Sequence, residues 1–368
     1  MPRTSDLRAL VGQTLILGFE GTEITSKLRA TLMTMQPAGV ILFARNIAEP
    51  QQTWQLLHDC QAAVTTPLFR GVDMEGGTVD RLKNVISPAP SVADVAAADN
   101  KALFRLHGRR IGEEIRALGF NVDYAPCLDL GFEASRSVLT SRTVSDDPGE
   151  TILFAREFLK GLAEAGVIGC GKHFPGLGEG DLDSHKATPV INKDFKRLWN
   201  EDLLPYRKMT RELQQVMVCH ASYPKAAKEK LPASRSKFWM KDILRKKIGF
   251  KGLVLSDDME MGGALAAASI DEAAVETLRA GADIILVCRN EEYVWRAFNA
   301  VLRETERDRR FRTQIERSAK RVLAFKKKSK PLQARFPKAP DEACINKLRR
   351  NMWELSEEVR LAHIAGSS

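Results

Sequence analysis

Eight short apolar runs recur along the chain, and in each of them both odd and even positions are apolar. They are TLILGFEG (14–21), GVILFAR (39–45), LFRGVDME (68–75), NVDYAPCLDL (121–130), VIGCGKHF (167–174), QVMVCHAS (215–222), GLVLSDD (252–258) and DIILVC (283–288). A strand wetted on one face alternates apolar with polar, so strands apolar on both parities are covered on both faces, as in a parallel sheet under helices. Stretches such as ETILFAREFLKGLAEAG and DEAAVETLRAGA separate them, with apolar residues recurring at three and four. Eight strands, each followed by a helix, predict an α/β chain folded as a single (β/α)8 TIM-type barrel, not an open doubly wound sheet. No Pro/Gly/Ser linker interrupts residues 1–330, so one barrel domain is expected there. PLQARFPKAP (331–340) then leads to DEACINKLRRNMWELSEEV, which reads as an extra C-terminal helix packed on the barrel in a 331–368 extension.

Composition narrows the class of protein. The apolar fraction of 44% and charged fraction of 28% suit a soluble globular domain with an ample core. No apolar run is long enough for a membrane span, and the first residues contain no signal-peptide core, so no membrane partner is expected. The six cysteines are widely separated with no CxxC pair, and four sit in strand-like runs, which points to a reduced, cytoplasmic setting. The net charge of +9 draws much of its excess from residues 307–330. There basic residues alternate with apolar ones at helical spacing, placing Ile315, Val322 and Leu323 on a buried stripe and the cations on a solvated face. No nucleic-acid partner is expected.

The chemistry gathers where strands end, which in such a barrel is the mouth of the site. GVDMEGGTVDR carries Asp73 and Glu75, NVDYAPCLDLG Asp129, GKHFPG Lys172 and His173, VMVCHASYP His220, and LVLSDDMEM Asp257 and Asp258. One such group is commonly a helix cap or a satisfied structural residue. Ionisable groups at five strand ends point instead to an enzyme. The Gly/Pro-rich segment KHFPGLGEGDLDSHKATP (172–189) adds Asp183 and His185, two residues apart. A carboxylate so placed can orient an imidazole that shuttles a proton near neutral pH. A metal site is the other reading of such a pair, but the loop has no third ligand at regular spacing, and no metal is expected.

Taken together, KHFPGxG…DSHxxTP, DMEGGxxxRL, SRTVSDDP around Arg142, and PASxSxxWxxxxLRxxxGFxGLVLSDDMEM resemble glycoside hydrolase family 3, in order over roughly residues 10–300. Within it they resemble the bacterial β-N-acetylglucosaminidases that trim cell-wall muropeptides during peptidoglycan recycling. The resemblance implies retaining, exo-acting hydrolysis of terminal β-linked N-acetylglucosamine, with Asp257 as the nucleophile that forms a covalent glycosyl intermediate. It implies that Asp183 and His185 form an acid/base dyad, and that Asp73, Arg81, Arg142, Lys172 and His173 bind the terminal sugar. It implies no cofactor and no metal. The expected partner is a β-N-acetylglucosaminide, such as a muropeptide or chito-oligosaccharide, and the expected state is a monomer. Two departures stand out: Leu177 where the family commonly has His, and Thr78 where an Arg often follows the two glycines. Neither falls on the nucleophile or the dyad, so altered loop packing and aglycone preference are expected. Two other readings stay open. An amino-sugar phosphorylase is one, because His in place of a carboxylic acid leaves room for phosphate. A non-catalytic amino-sugar-binding barrel is the other, against which a nucleophile with a matched acid argues. Were His185 not the acid, Glu75, Glu179 and Asp181 would remain.

Overall fold

A computed structural model describes residues 4–180, 188–266 and 268–366. Its barrel strands are β1 (Leu15–Leu17), β2 (Gly39–Ile41), β3 (Phe69–Val72), β4 (Val122–Asp123), β5 (Ile168–Phe174), β6 (Gln215–Val218), β7 (Leu253–Asp258) and β8 (Ile284–Val287). All pair in parallel with their sequence neighbours, and β1 also pairs with β8, which closes an eight-stranded (β/α)8 barrel. Each apolar run contains one strand. The regular ladder is shorter than its run because the C-terminal residues leave it to build the mouth. In 121–130 only two residues pair regularly, since Pro126 has no N–H to donate, although Cys127 still bridges to Lys172.

The two parities of each strand enter two cores. Ile16, Phe69, Tyr124, Ile168, Met217, Leu255 and Leu286 fill the barrel interior. Leu15, Val40, Val72, Val216, Val254 and Ile285 pack under the surrounding helices. A hairpin of Met74–Gly76 against Val79–Asp80 rises above β3. All six cysteines are free, five of them buried. Among the described residues no helix is long and apolar enough to cross a membrane.

The basic stretch forms the helix Arg309–Lys328, which buries Phe311, Ile315, Ala319 and Val322, while Leu323 is only half-buried. The solvated-face reading fails at Lys326. That residue lies one turn beyond Val322 on the same face, is 2% exposed, and donates from Nζ to Gln13 Oε1 at 2.8 Å. Val322 and Leu332 join the interior core and close the barrel's N-terminal end. The helix Glu342–Gly366 buries Ile345, Leu348, Met352, Leu355 and Val359 at alternating three- and four-residue steps, and it packs on the helices Lys101–Ala117 and Val92–Ala97.

The helix Lys101–Ala117 also packs backbone-to-backbone on Pro148–Glu164. A Cβ at Gly108 would sit 2.1 Å from the Phe158 carbonyl oxygen, and one at Gly161 would sit 2.1 Å from that of Arg105. Gly108→Ala gains about 1 kcal/mol of intrinsic helix propensity. The obstructing atom is backbone and cannot rotate away, so a net loss of about 1–3 kcal/mol is expected. A lowered urea midpoint at unchanged slope would show it, and an unchanged midpoint would contradict the close approach.

Candidate active site

A cavity of about 470 Å³ opens at the C-terminal ends of the strands. Asp73, Arg81, Arg142, Lys172, His173 and Asp257 all line it, brought together from β3 and its hairpin, the segment after β4, β5 and β7. Asp183 and His185 lie outside the described residues, as does Asp181.

At its floor lies a four-membered ion cluster. Lys172 Nζ sits 2.8 Å from Asp73 Oδ1 and 2.7 Å from Glu75 Oε1. Arg142 grips Glu75 with both prongs, Nε to Oε2 at 2.8 Å and Nη2 to Oε1 at 2.8 Å. Burial would push the Glu75 carboxyl up, but Arg142 and Lys172 hold it well below the ordinary carboxylate range. For Lys172, burial pulls down and the flanking Asp73 and Glu75 carboxylates raise it well above the usual lysine value. Both Glu75 oxygens are engaged by Arg142 and Lys172, which favours its anion and argues against it as the general acid. Glu179 faces Arg197 at 2.8 Å and Lys193 at 3.6 Å and does not line the cavity.

The second layer is organised by Asp129, which is fully buried. Its Oδ2 lies 2.6 Å from His173 Nδ1, and its Oδ1 accepts from the amide N–H of Leu177 at 2.8 Å and of His173 at 3.3 Å. The ring proton therefore sits on Nδ1, and Nε2 faces the donor-only guanidinium of Arg142 at 3.5 Å and the cavity. The Leu177 departure leaves this loop contact intact, because the backbone supplies it, and puts an apolar side chain on the cavity wall. Cys127, Asp129 and His173 form the one His/Cys/Asp/Glu group among the described residues close enough to share a metal. The 2.6 Å His–Asp contact is a hydrogen-bond distance, whereas two ligands each about 2 Å from one zinc stand wider apart. The sequence offers Glu75 only as a fallback acid and Asp129 only as a strand-end acid, and it assigns neither of these structural roles.

Two adjacent carboxyls at the end of β7 differ sharply. Burial pushes Asp257 up, yet the facing His173 and His220 rings, the Asp258 N–H at 2.8 Å and the Lys172 ammonium leave it below the ordinary range. Asp258 caps a turn, its Oδ1 accepting from the N–H of Glu260 at 3.0 Å and of Cys288 at 3.2 Å. Burial, followed by Glu260 and Asp257, raises it to about 7. His220 fixes the same turn by donating from Nε2 to the Asp258 carbonyl at 3.0 Å while Nδ1 accepts from Ser234 at 2.7 Å.

The family model described as the glycosyl hydrolase family 3 N terminal domain matches residues 7–325. A β-hexosaminidase of Idiomarina loihiensis is 34% identical over 296 residues, spanning 79% of this chain and 88% of that protein. A glycoside hydrolase family 3 β-N-acetylglucosaminidase from Paenibacillus sp. superposes with a TM-score of 0.90 at 32% identity, covering 96% of this chain and 68% of the other. Native NagZ from Neisseria gonorrhoeae gives a TM-score of 0.71 at 28% identity, over 84% and 97% of the two chains.

The contrast at the end of β7 predicts a pH effect. The folded-state value of Asp258 lies above its unfolded one. Its contribution to stability is therefore complete below about pH 4 and is lost as pH rises through about 7. Asp258→Asn keeps the acceptor oxygen and removes the titration. Its melting temperature should fall less than that of the wild type between pH 5 and pH 8, scanned in steps of about one unit. Parallel curves for the two proteins would rule the assignment out.

Proposed function

The chain belongs to glycosyl hydrolase family 3 and is a glycoside hydrolase, and on that premise we propose that it is a retaining exo-β-N-acetylglucosaminidase with Asp257 as nucleophile. The observation that carries this reading is that the half-buried Asp257, its carboxyl held below the ordinary range, lines one cavity with Asp73, Lys172, Arg142 and His173. Asp257 attacks the anomeric carbon as the glycosidic bond breaks. His185, oriented by Asp183, gives its proton to the leaving oxygen. Water then attacks the glycosyl-Asp257 ester while His185 takes the water proton, which returns both residues to their starting states. The usual second carboxylic acid is replaced by an imidazole whose unperturbed pKa of about 6.5 suits both half-reactions near neutrality. Asp73 and Lys172 neutralise one another, so the array orients sugar hydroxyls without adding net charge beside the nucleophile. Asp73, Arg81, Arg142, Lys172 and His173 hold the terminal sugar. The enzyme acts as a cytoplasmic monomer on muropeptides or chito-oligosaccharides and uses no cofactor.

Substrate selection should turn on the acetamido group, since a site that hydrogen-bonds an amide leaves buried groups unpaired when the amide is missing. The kcat/KM on p-nitrophenyl N-acetylglucosaminide should exceed that on the matching glucoside at least about 10³-fold, and added phosphate should not change the released product. Comparable values would sink the N-acetylglucosaminidase reading, and a sugar phosphate product would make the enzyme a phosphorylase.

Replacing the acid should separate the two half-reactions. His185→Ala should lose rate strongly on substrates with poor leaving groups, yet a dinitrophenyl glycoside should still glycosylate Asp257, because that leaving group needs no proton. The adduct should then accumulate, visible by intact mass and mapped to Asp257. Equal losses on good and poor leaving groups, without an adduct, would show that His185 is not the acid.

A further inference from the structure

At the opposite end of the barrel several cations have no carboxylate partner among the described residues. A second cavity, of about 660 Å³, lies where the helix Lys101–Ala117 ends, β5 begins and the chain turns after the helix Arg309–Lys328. Val167 and Phe325 give it apolar walls, and Arg116, Lys328, Ser329 and Lys330 give it polar ones. No Asp or Glu is among its lining residues. Arg116 donates from Nη2 to the Arg335 carbonyl at 3.0 Å, but among the described residues its buried Nη1 has no hydrogen-bond partner, and neither has Ser329 Oγ. Behind Arg116 lies Arg70, 4% exposed, whose partners are the Gly119 carbonyl at 2.6 Å and Gln61 Oε1 at 2.9 Å, both neutral. Burial and the neighbouring Arg116 lower Arg70 to about 9.

A buried donor without a protein acceptor, next to cations without a protein counter-ion, favours an oxyanion. We propose that this end of the barrel is a second binding site, for a small ligand carrying a phosphate or carboxylate on an apolar body. Arg116 and Ser329 meet the oxyanion, Lys328 and Lys330 attract it from the exposed rim, and Val167 and Phe325 cover the apolar part. The size lies within the range of small-molecule sites. β5 separates the two cavities, running from beside Val167 to Lys172 and His173, about 20 Å at the rise of an extended strand. Occupancy of one therefore leaves the other open.

Calorimetric titration of the full chain with 1-naphthyl phosphate tests the site, with 1-naphthoate as the carboxylate counterpart. One saturable site per chain is expected for the phosphate or for both, and which of them binds names the oxyanion. Inorganic phosphate alone and 1-naphthol alone should each bind at least about tenfold more weakly. Arg116→Met and Lys330→Glu should each weaken binding about tenfold, and Arg81→Met, in the other cavity, should leave it unchanged. Lys330 is exposed, so its variant keeps the test intact if Arg116→Met does not fold. Absence of saturable binding would overturn the proposal. So would binding that survives both Arg116→Met and Lys330→Glu, or that is lost in Arg81→Met.

Discussion

The ammonium of Lys172, enclosed between the carboxylates of Asp73 and Glu75, is the contact on which the mouth of the barrel depends. Four charged groups lie almost out of water there, two of each sign. A buried charge is tolerable only when paired and hydrogen-bonded, and removing one member leaves another uncompensated. Arg142 completes the balance by gripping Glu75 with two parallel bonds, which fixes direction as well as charge. The cluster ties the end of β3, the hairpin above it, the segment after β4 and β5 into one rigid floor. Asp257 on β7 faces that floor, and the nearby Lys172 ammonium helps keep it ionised.

Environment, not residue type, separates the carboxyls around this floor. Asp257 and Asp258 are neighbours on one strand, yet one is held below the usual range and the other raised to about 7. The first faces rings, an N–H and an ammonium, whereas the second faces Glu260 and Asp257 and spends its oxygen on capping a turn. Asp129 shows a third outcome. Burial would raise it, and the His173 ring, with the hydrogen bonds it accepts, brings it below the ordinary value. Three acids of one chemistry thus serve as a carboxyl held toward its anion, a turn cap held toward its protonated form, and an orienting partner.

The two ends of the barrel manage charge differently: at the N-terminal end Asp283, just before β8, pairs with Arg245 and Arg321, but other cations there are left without a carboxylate. At the C-terminal end cations and anions cancel at contact distance. At the N-terminal end Arg70, Arg116, Lys328 and Lys330 have no carboxylate partner among the described residues, and Lys326 is buried against a neutral amide with its pKa lowered by burial to about 7. The excess that gives the chain its net +9 is therefore concentrated in part at one pole of the fold. Barrel bottoms ordinarily serve stability, and uncompensated buried donors work against it.

The eight strands were legible in the sequence because burial on both faces erases the alternation of a half-wet strand, a local property that the residues of one run report by themselves. The strand ends carrying Asp73, Lys172, His173 and Asp257 were legible for the same reason, since polar groups break the runs there. The partners of those groups were not. Glu75 reads as one more strand-end acid until barrel closure brings Arg142, 67 residues away, onto both its oxygens. Lys172 meets Asp73 across 99 residues. Asp129 and Leu177 pair through a backbone N–H that no side-chain pattern records. Likewise, helical periodicity placed Val322 on the buried stripe, but only the closing of the barrel end put Lys326 beneath the barrel. Sequence determined which segments are strands and which residue types stand at their ends, because those follow from local periodicity and hydrophobic burial. Tertiary structure decided which charges neutralise one another, because Coulomb energy depends on distances between groups far apart in the chain, and those are set only when the barrel closes.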